Sequence, residues 1–157
     1  MKLEKLLVPV DFSQNSRAAV RAAIQLLGRS AEAKLIVLFV LEPLHIVFGE
    51  MLPQELPTDA ERQRAVEERM KALSAEFRDV AMETRIVEGH AWERICQFAK
   101  DAGIDLIIIP SHGYRGLTRL VLGSTAERVV RHASCPVLVL KPGDIGASEI
   151  HQGSVVQ

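Results

Sequence analysis

The sequence predicts a doubly wound α/β domain in which a five-stranded parallel sheet lies between two layers of helices. Short apolar segments alternate along the chain with segments of helical periodicity, in the order βαβαβαβαβ. Several strand candidates are apolar on both alternating faces, which is typical of parallel strands covered by helices on both sides. The helical segments have the usual length of crossover connections, so a three-layer sheet is expected.

The first strand, the first helix and the second strand follow one another directly. KLLVPV, residues 5–10, is a short apolar run that stops at Asp11. Residues 13–27 carry apolar side chains at helical spacing, and Gly28 follows at a typical helix end. AKLIVLFV, residues 33–40, is apolar on both faces and rich in β-branched residues, which indicates a buried parallel strand.

The next stretch contains a loop and a second helix. Residues 41–57 include three prolines and a glycine that forbid a long regular element, so a loop is predicted. Thr58 and Glu61 have the spacing of a capping box. Apolar residues on one face then predict a helix that ends near Phe77.

The third and fourth strands flank the third helix. In VAMETRIV, residues 80–87, one face of the strand is more polar than the other, which indicates an edge of the sheet. A helix is predicted for residues 91–102 and ends at Gly103. DLIIIP, residues 105–110, is the most apolar strand candidate, and we expect it at the centre of the sheet.

The last helix and strand complete the domain. Ser124 and Glu127 have the spacing of a second capping box, and the last strand is predicted for Val137–Leu140. Residues 1–141 are therefore expected to form one domain, and residues 142–157 a flexible tail without periodicity. The apolar side of the last helix is assigned to Ala126, Val129, Val130 and Ala133.

Composition excludes several functional classes. The chain has 157 residues, enough for one domain with a core, and its formal net charge of −1 supplies no basic field for nucleic acid. The apolar run near the start is too short for a signal or membrane segment, so a cytoplasmic location is expected. Cys96 and Cys135 fit neither a disulfide framework nor a zinc pattern, and the histidines show no metal-ligand spacing.

Parallel α/β sheets bind ligands at the carboxyl ends of their strands, where the winding reverses. If the first and fourth strands flank that point, Asp11 and the loop after Ile109 converge there. The Asp11 carboxylate would accept hydrogen bonds from ribose hydroxyls, or it would support the turn before the helix that starts near Ser13. The spacing leaves both roles open.

The segment IIIPSHGYRGLTRLVLGST, residues 107–125, has the features of a phosphate site. Gly123, Ser124 and Thr125 stand at a predicted helix N-terminus, which favours a bound anion. The Ser124 hydroxyl would contact that anion or cap its own helix, and the capping box favours the cap. Gly113 and Gly116 would form an anion nest, with Arg115 or Arg119 adding positive charge. Neither GxxxxGK[ST] nor GxGxxG occurs in the chain, and no catalytic set of side chains can be assembled.

Four segments together resemble the universal stress protein family over nearly the whole chain: LLVPVDFS, VLFV, GHAWERI and DLIIIPSHGYRGLTRLVLGSTAERVVRHASCPVLVLK. The ATP-binding branch of that family has glycine, two residues, glycine, nine residues, then glycine followed by serine or threonine. Gly113, Gly123 and Ser124 fit this spacing. Pro110 stands at the first glycine and has no N–H to donate, which affects the ribose side of the site.

The resemblance implies a Rossmann-like sheet of order 3-2-1-4-5, similar to adenine nucleotide alpha hydrolases, with a site for ATP, ADP or AMP. Adenine would lie near the ends of the first two strands, the ribose at Asp11, and the phosphates, which would carry Mg²⁺, along residues 110–125. The residues assigned to the nucleotide are Pro9, Val10, Asp11, Val40, Pro110, Ser111, His112, Gly113, Arg115, Gly116, Gly123, Ser124 and Thr125.

The function implied by the resemblance is a nucleotide-binding stress-response protein that regulates rather than catalyses. At most, slow ATP hydrolysis or autophosphorylation is expected. The family forms homodimers through its last strand, and the flat apolar edge of Val137–Leu140 independently invites another chain. The alternative is a dimeric module that has lost nucleotide binding and acts through a protein partner. Pro110 and the apolar residues of loop 41–57 motivate that alternative.

Overall fold

The computed structural model describes residues 3–28, 33–44, 57–111 and 122–141, in which five strands alternate with four helices. Their ends differ from the predicted ones by at most two residues. The strands are β1 (Lys5–Val10), β2 (Lys34–Leu41), β3 (Met82–Glu88), β4 (Leu106–Pro110) and β5 (Val137–Leu140). The helices are α1 (Gln14–Leu27), α2 (Asp59–Glu76), α3 (Ala91–Ala102) and α4 (Ser124–His132).

The strands form one parallel sheet in the order β3-β2-β1-β4-β5, with helices on both faces. One apolar cluster joins the sheet to α1 and α2, and a second joins it to α3 and α4. Right-handed crossovers produce this separation, because the chain moves in one direction from β1 to β3 and in the other from β3 to β5. The predicted fold class and strand order are confirmed.

The expectation from apolarity alone, that β4 lies at the centre of the sheet, is wrong, whereas the order implied by the resemblance is right. The β3 strand lies at an edge as expected, but the middle strand is β1, and β4 lies between β1 and β5. Apolarity on both faces shows only that a strand is covered by helices, and the interior strands share that property. The order within the interior depends on the crossovers.

The ends of three helices follow the sequence signals. The Ser13 hydroxyl accepts the Ser16 N–H at 3.1 Å and caps α1. At the start of α2, Thr58 and Glu61 form the predicted reciprocal capping box, in which Thr58 N–H donates to the Glu61 carboxylate at 2.8 Å. Gly103 ends α3 in the left-handed conformation, which glycine adopts without steric cost.

The second predicted capping box, at α4, is absent. Gly123 is the N-cap, and it has no side chain to cap the helix. Its N–H donates to the Ser111 carbonyl at 2.8 Å, which fixes residue 123 in an extended conformation, so Ser124 becomes the first helical residue. The predicted apolar side of α4 is also partly wrong, because Val130 is 48% exposed.

Side-chain bonds tie β1 to β4 at the amino edge of the sheet. The Asp105 carboxylate accepts the N–H groups of Glu4 and Lys5 at 2.9 and 2.8 Å. These bonds hold the pKa of Asp105 below its ordinary value. The Lys5 ammonium donates to the Ala102 carbonyl at 2.8 Å. These bonds hold β1 and β4 together at the amino ends of the strands, on the edge of the sheet opposite to the predicted site.

Two predicted segments fall mostly outside the described residues. Leu41 ends β2, and residues 45–56 of the predicted loop are not described. The tail 142–157 is not described either, so the domain boundary remains a prediction. Among the described residues, no helix is both long and apolar enough to cross a membrane.

Candidate functional site

A cleft of about 630 Å³ opens at the carboxyl edge of the sheet, within the usual range for small-molecule sites. Its lining comes from the ends of β1, β2 and β4, from α1 and α2 on one face, and from α3 and α4 on the other. Four predicted residues, His112, Gly113, Arg115 and Gly116, lie outside the described part of the chain. The other predicted residues all line this cleft: Pro9, Val10, Asp11, Val40, Pro110, Ser111, Gly123, Ser124 and Thr125.

The cleft exists because β1 and β4 separate before they end. Their register runs only through Leu6↔Leu106 and Leu7↔Ile107. On the outer sides the pairing continues further, to Val10 on β1 and to Pro110 on β4. The two halves of the sheet therefore diverge at the point where the winding reverses. Doubly wound α/β sheets bind their ligands at this point.

Two prolines explain where the β1–β4 pairing stops. Ile107 and Ser111 donate their N–H groups toward β5, at 3.0 and 2.8 Å, and alternate amides of a strand point to opposite sides. The nitrogen of Pro110 therefore faces β1. The Lys5 carbonyl accepts a bond from the β4 side, so the nitrogen of Pro9 faces β4 by the same alternation. Neither proline has an N–H, so the next two donors of the ladder are missing.

Asp11 performs the structural role considered for it and also lines the cleft. Its Oδ1 accepts the Ser13 N–H at 3.0 Å, which forms an Asx turn between β1 and α1. The residue is exposed at the end of β1, where it borders the cleft. Asp11 can therefore support the turn and face a ligand of the cleft at the same time.

The N-terminus of α4 borders the cleft on the β4 side. Ser124 and Thr125 occupy the first two helical positions, and the first N–H groups of any helix lack partners within it. The positive end of the helix dipole adds to the attraction for an anion. Because Gly123 is the N-cap, the Ser124 hydroxyl is not used for capping. This corner of the cleft is suited to a phosphate.

Two arginines that line the cleft, Arg62 and Arg69, were not predicted from the sequence. They are seven residues apart, which places both on one face of α2, but the sequence does not indicate that this face borders the cleft. Arg62 pairs with Asp59 at 3.2 Å and donates to the Glu42 carbonyl. The Glu42 carboxylate accepts the Ala91 N–H at 2.9 Å, at the start of α3. The charges along this side of the cleft are therefore mixed.

Metal and thiol chemistry receive little support from the described residues. Within them, no group of three or more His, Cys, Asp and Glu side chains could hold a metal ion. Cys96 and Cys135 are free and half-buried, as expected for small apolar side chains. Burial raises the pKa of both thiols, which lowers the fraction of reactive thiolate in the folded protein.

The chain is similar to known proteins over most of its length. The model of the universal stress protein family matches residues 2–141. The universal stress protein MJ0531 of Methanocaldococcus jannaschii is 34% identical over 143 residues, covering 88% of this chain and 82% of that protein. MJ0577 of the same organism is 30% identical over 154 residues, covering 88% of this chain and 94% of that protein.

Solved structures share the fold. The structure of MJ0577 superposes with a TM-score of 0.69 at 27% identity, covering 90% of this chain and 97% of that one. A universal stress protein in complex with cAMP gives a TM-score of 0.62 at 21% identity, covering 90% and 98%. A family protein of Arabidopsis thaliana with AMP bound gives 0.55 at 19%, covering 88% and 91%. The chain belongs to the universal stress protein family.

Proposed function

We propose that this protein binds an adenine nucleotide in the cleft between β1 and β4 and acts as a regulatory homodimer. One observation carries the nucleotide proposal: Asp11 and the N-terminus of α4 border the same cleft, one after β1 and the other after β4. A carboxylate suits ribose hydroxyls, and a helix N-terminus suits phosphate. The cleft thus offers a nucleotide a partner for its sugar and another for its phosphates.

The remaining lining fits the other parts of a nucleotide. Pro9, Val10 and Val40 offer an apolar surface for the adenine ring at the ends of β1 and β2. The Ser124 hydroxyl, unused by its helix, would donate to a phosphate oxygen. Mg²⁺ would be carried by the phosphates, because the described residues offer it no cluster of carboxylates.

The family supports the choice of an adenine nucleotide. Universal stress proteins have been solved in complex with cAMP and with AMP. Those proteins share the fold with this chain, and the preference for ATP is inferred here from the Gly113, Gly123 and Ser124 spacing. Asp11 and Glu42 each accept a backbone N–H in the folded protein, and the proposal assigns neither of them a catalytic role. As the resemblance to the family implies, turnover is expected to be slow at most.

Calorimetry on protein stripped of nucleotide tests the proposal. MgATP, MgADP and AMP should each release or absorb heat and raise the melting temperature, whereas MgGTP serves as the control for the base. Mass spectrometry of freshly purified protein should detect a copurified adenine nucleotide. No heat and no thermal shift with any adenine nucleotide at millimolar concentration would overturn the proposal.

The homodimer is proposed to form through β5. This strand lies at the edge of the sheet, and Leu138 on it is 40% exposed. An apolar edge with unpaired N–H and C=O groups is suited to pairing with a second copy across a two-fold axis. Sedimentation should give twice the chain mass for the wild type and the single mass for Leu138→Lys. A monomeric wild type would contradict this part.

A second candidate function is a dimeric interaction module without a nucleotide. Two observations favour it: Pro110 removes a donor on the cleft side of β4, and Leu44, after β2, is 47% exposed. Such a protein would sediment as a dimer yet give no heat with any nucleotide. The same calorimetry and sedimentation experiments therefore separate the two functions.

A further inference from the structure

Phe12 has an unusual backbone conformation in the turn that carries Asp11. Its φ is 63°, and among the described residues it is the only residue other than glycine with a positive φ. This left-handed conformation brings the side chain of an L-residue close to its own backbone and is unfavourable for a bulky residue. Such a conformation persists only where the surrounding structure holds it firmly.

The ring of Phe12 is held by two side chains. It stacks on the Phe39 ring with centroids 4.8 Å apart and an angle of 22° between the planes. The Arg69 guanidinium carbon lies 4.2 Å from the centroid of the same ring, a cation–π contact. Phe12 is only 5% exposed, whereas Phe39 and Arg69 both line the cleft.

The backbone of Phe12 is held as well. Its carbonyl accepts a hydrogen bond from Arg17 Nη1 at 2.7 Å. The Arg17 Nε in turn pairs with a Glu76 carboxylate oxygen of α2 at 3.1 Å. The ring of Phe12 therefore contacts α2 directly, and its carbonyl is linked to α2 through Arg17.

This arrangement determines where the neighbouring carboxylate lies. The left-handed residue turns the chain so that Asp11 Oδ1 reaches the Ser13 N–H while Asp11 borders the cleft. We propose that Phe12 is a positioning residue for the nucleotide, fixing the Asp11 carboxylate against the ribose without touching the ligand. The proposal rests on the proposed nucleotide function and adds to it a residue that sets selectivity for the sugar.

A double-mutant cycle on ribose selectivity tests the proposal. Calorimetry measures the affinities for MgATP and for its 2′,3′-dideoxy analogue, which lacks both hydroxyls. The wild type should prefer ATP by roughly tenfold, the size expected for a hydrogen bond to a charged group. Asp11→Ala, which removes the acceptor, and Phe12→Ala should each bring this ratio close to one. The double variant should show no further loss, because both changes remove the same contact.

A matched control separates positioning from a general loss of stability. Phe77 packs at the margin of the same apolar cluster, at the end of α2. Phe77→Ala should lower the melting temperature and retain the preference for ATP. If Phe12→Ala does not fold, Phe12→Leu keeps an apolar side chain while it removes the ring contacts, and the same loss of preference is expected.

The possible outcomes distinguish this inference from the proposed function. If the wild type binds neither compound, the nucleotide proposal itself fails. If the wild type binds both equally, or if the Phe12 variant retains the preference that Asp11→Ala loses, the positioning role is overturned while nucleotide binding stands. Loss of the preference in the Phe77 variant as well would also overturn the role of Phe12.

Discussion

Replacing Pro110 with alanine should strengthen nucleotide binding, although it makes the protein less stable. The nitrogen of Pro110 faces the gap where β1 and β4 have separated, so alanine would place an N–H at the ribose side of the cleft. No bond within the sheet is lost, because the neighbouring Ser111 N–H already serves the β5 side. Pro110→Gly supplies the same N–H and restores the glycine that the resemblance implies at this position.

The magnitude follows from one added hydrogen bond. A single neutral hydrogen bond contributes about 1 kcal/mol net, which corresponds to roughly fivefold tighter binding. Proline also restricts the unfolded chain, so its removal should lower the free energy of unfolding by about 0.4–1 kcal/mol. For a domain of this size, that loss lowers the melting temperature by roughly 1–4 °C.

Calorimetry with MgATP and thermal melting of the free protein measure the two effects separately. Pro136→Ala is the matched control, since Pro136 is exposed near the amino end of β5, far from the cleft. It should change stability without changing affinity. Pro110→Ala and Pro110→Gly should improve affinity to a similar extent, with glycine the less stable of the two.

One outcome would refute the reasoning. If the new N–H of residue 110 bonded to the Pro9 carbonyl, the β1–β4 ladder would lengthen and the cleft would narrow. The melting temperature would then rise while the affinity for nucleotide stayed constant or fell. That result would show that the missing donor of Pro110 served the sheet and not the ligand.

Three further predictions concern other parts of the molecule. Ser124→Ala should weaken MgATP binding roughly tenfold or more and change unfolding by less than about 0.5 kcal/mol, whereas Thr58→Ala should lose about 1 kcal/mol with unchanged binding. The opposite pattern in calorimetry and urea titration would contradict the assignment of the caps. The pKa of Asp105 is lowered in the folded state, so its contribution to stability is complete above the ordinary value of 3.8 and is lost as the pH falls through the lower folded value. Urea titrations of Asp105→Asn should therefore show a flatter dependence on pH below about pH 4, and an unchanged slope would count against the Asp105 bonds. Because burial raises the pKa of Cys96 and Cys135, iodoacetamide at pH 8 should modify both more slowly in the folded protein than in urea, and equal rates would contradict this.

Periodicity and turn chemistry were sufficient to predict the strands and helices, because each element satisfies its own local rules. The failure at α4 shows the limit of such rules. Gly123 and Ser124 are both acceptable N-caps, and the choice between them depends on the bond from the Gly123 N–H to the Ser111 carbonyl. That bond joins the end of β4 to α4, and no local pattern encodes it.

The candidate site was predictable where single residues carry its chemistry. Asp11 and Ser124 were assigned from their positions after a strand and at a helix start, and both line the cleft. Arg69 was not assigned, because its approach to the cleft depends on how α2 packs against the end of β1. The left-handed conformation of Phe12 has no sequence signal either, since a bulky residue at that position argues against it.

The separation of β1 and β4 along the chain bears on how the protein folds. The bond between Lys5 and Asp105 joins residues 100 positions apart, so the central strand pair closes a very long loop. Pairings of this kind are slow to form, because the chain loses entropy before the contact stabilises it. The cleft between the two strands does not exist until that loop is closed. A ligand of the cleft would therefore bind only the fully folded chain and slow its unfolding. When the ligand is abundant, it would lengthen the lifetime of the protein.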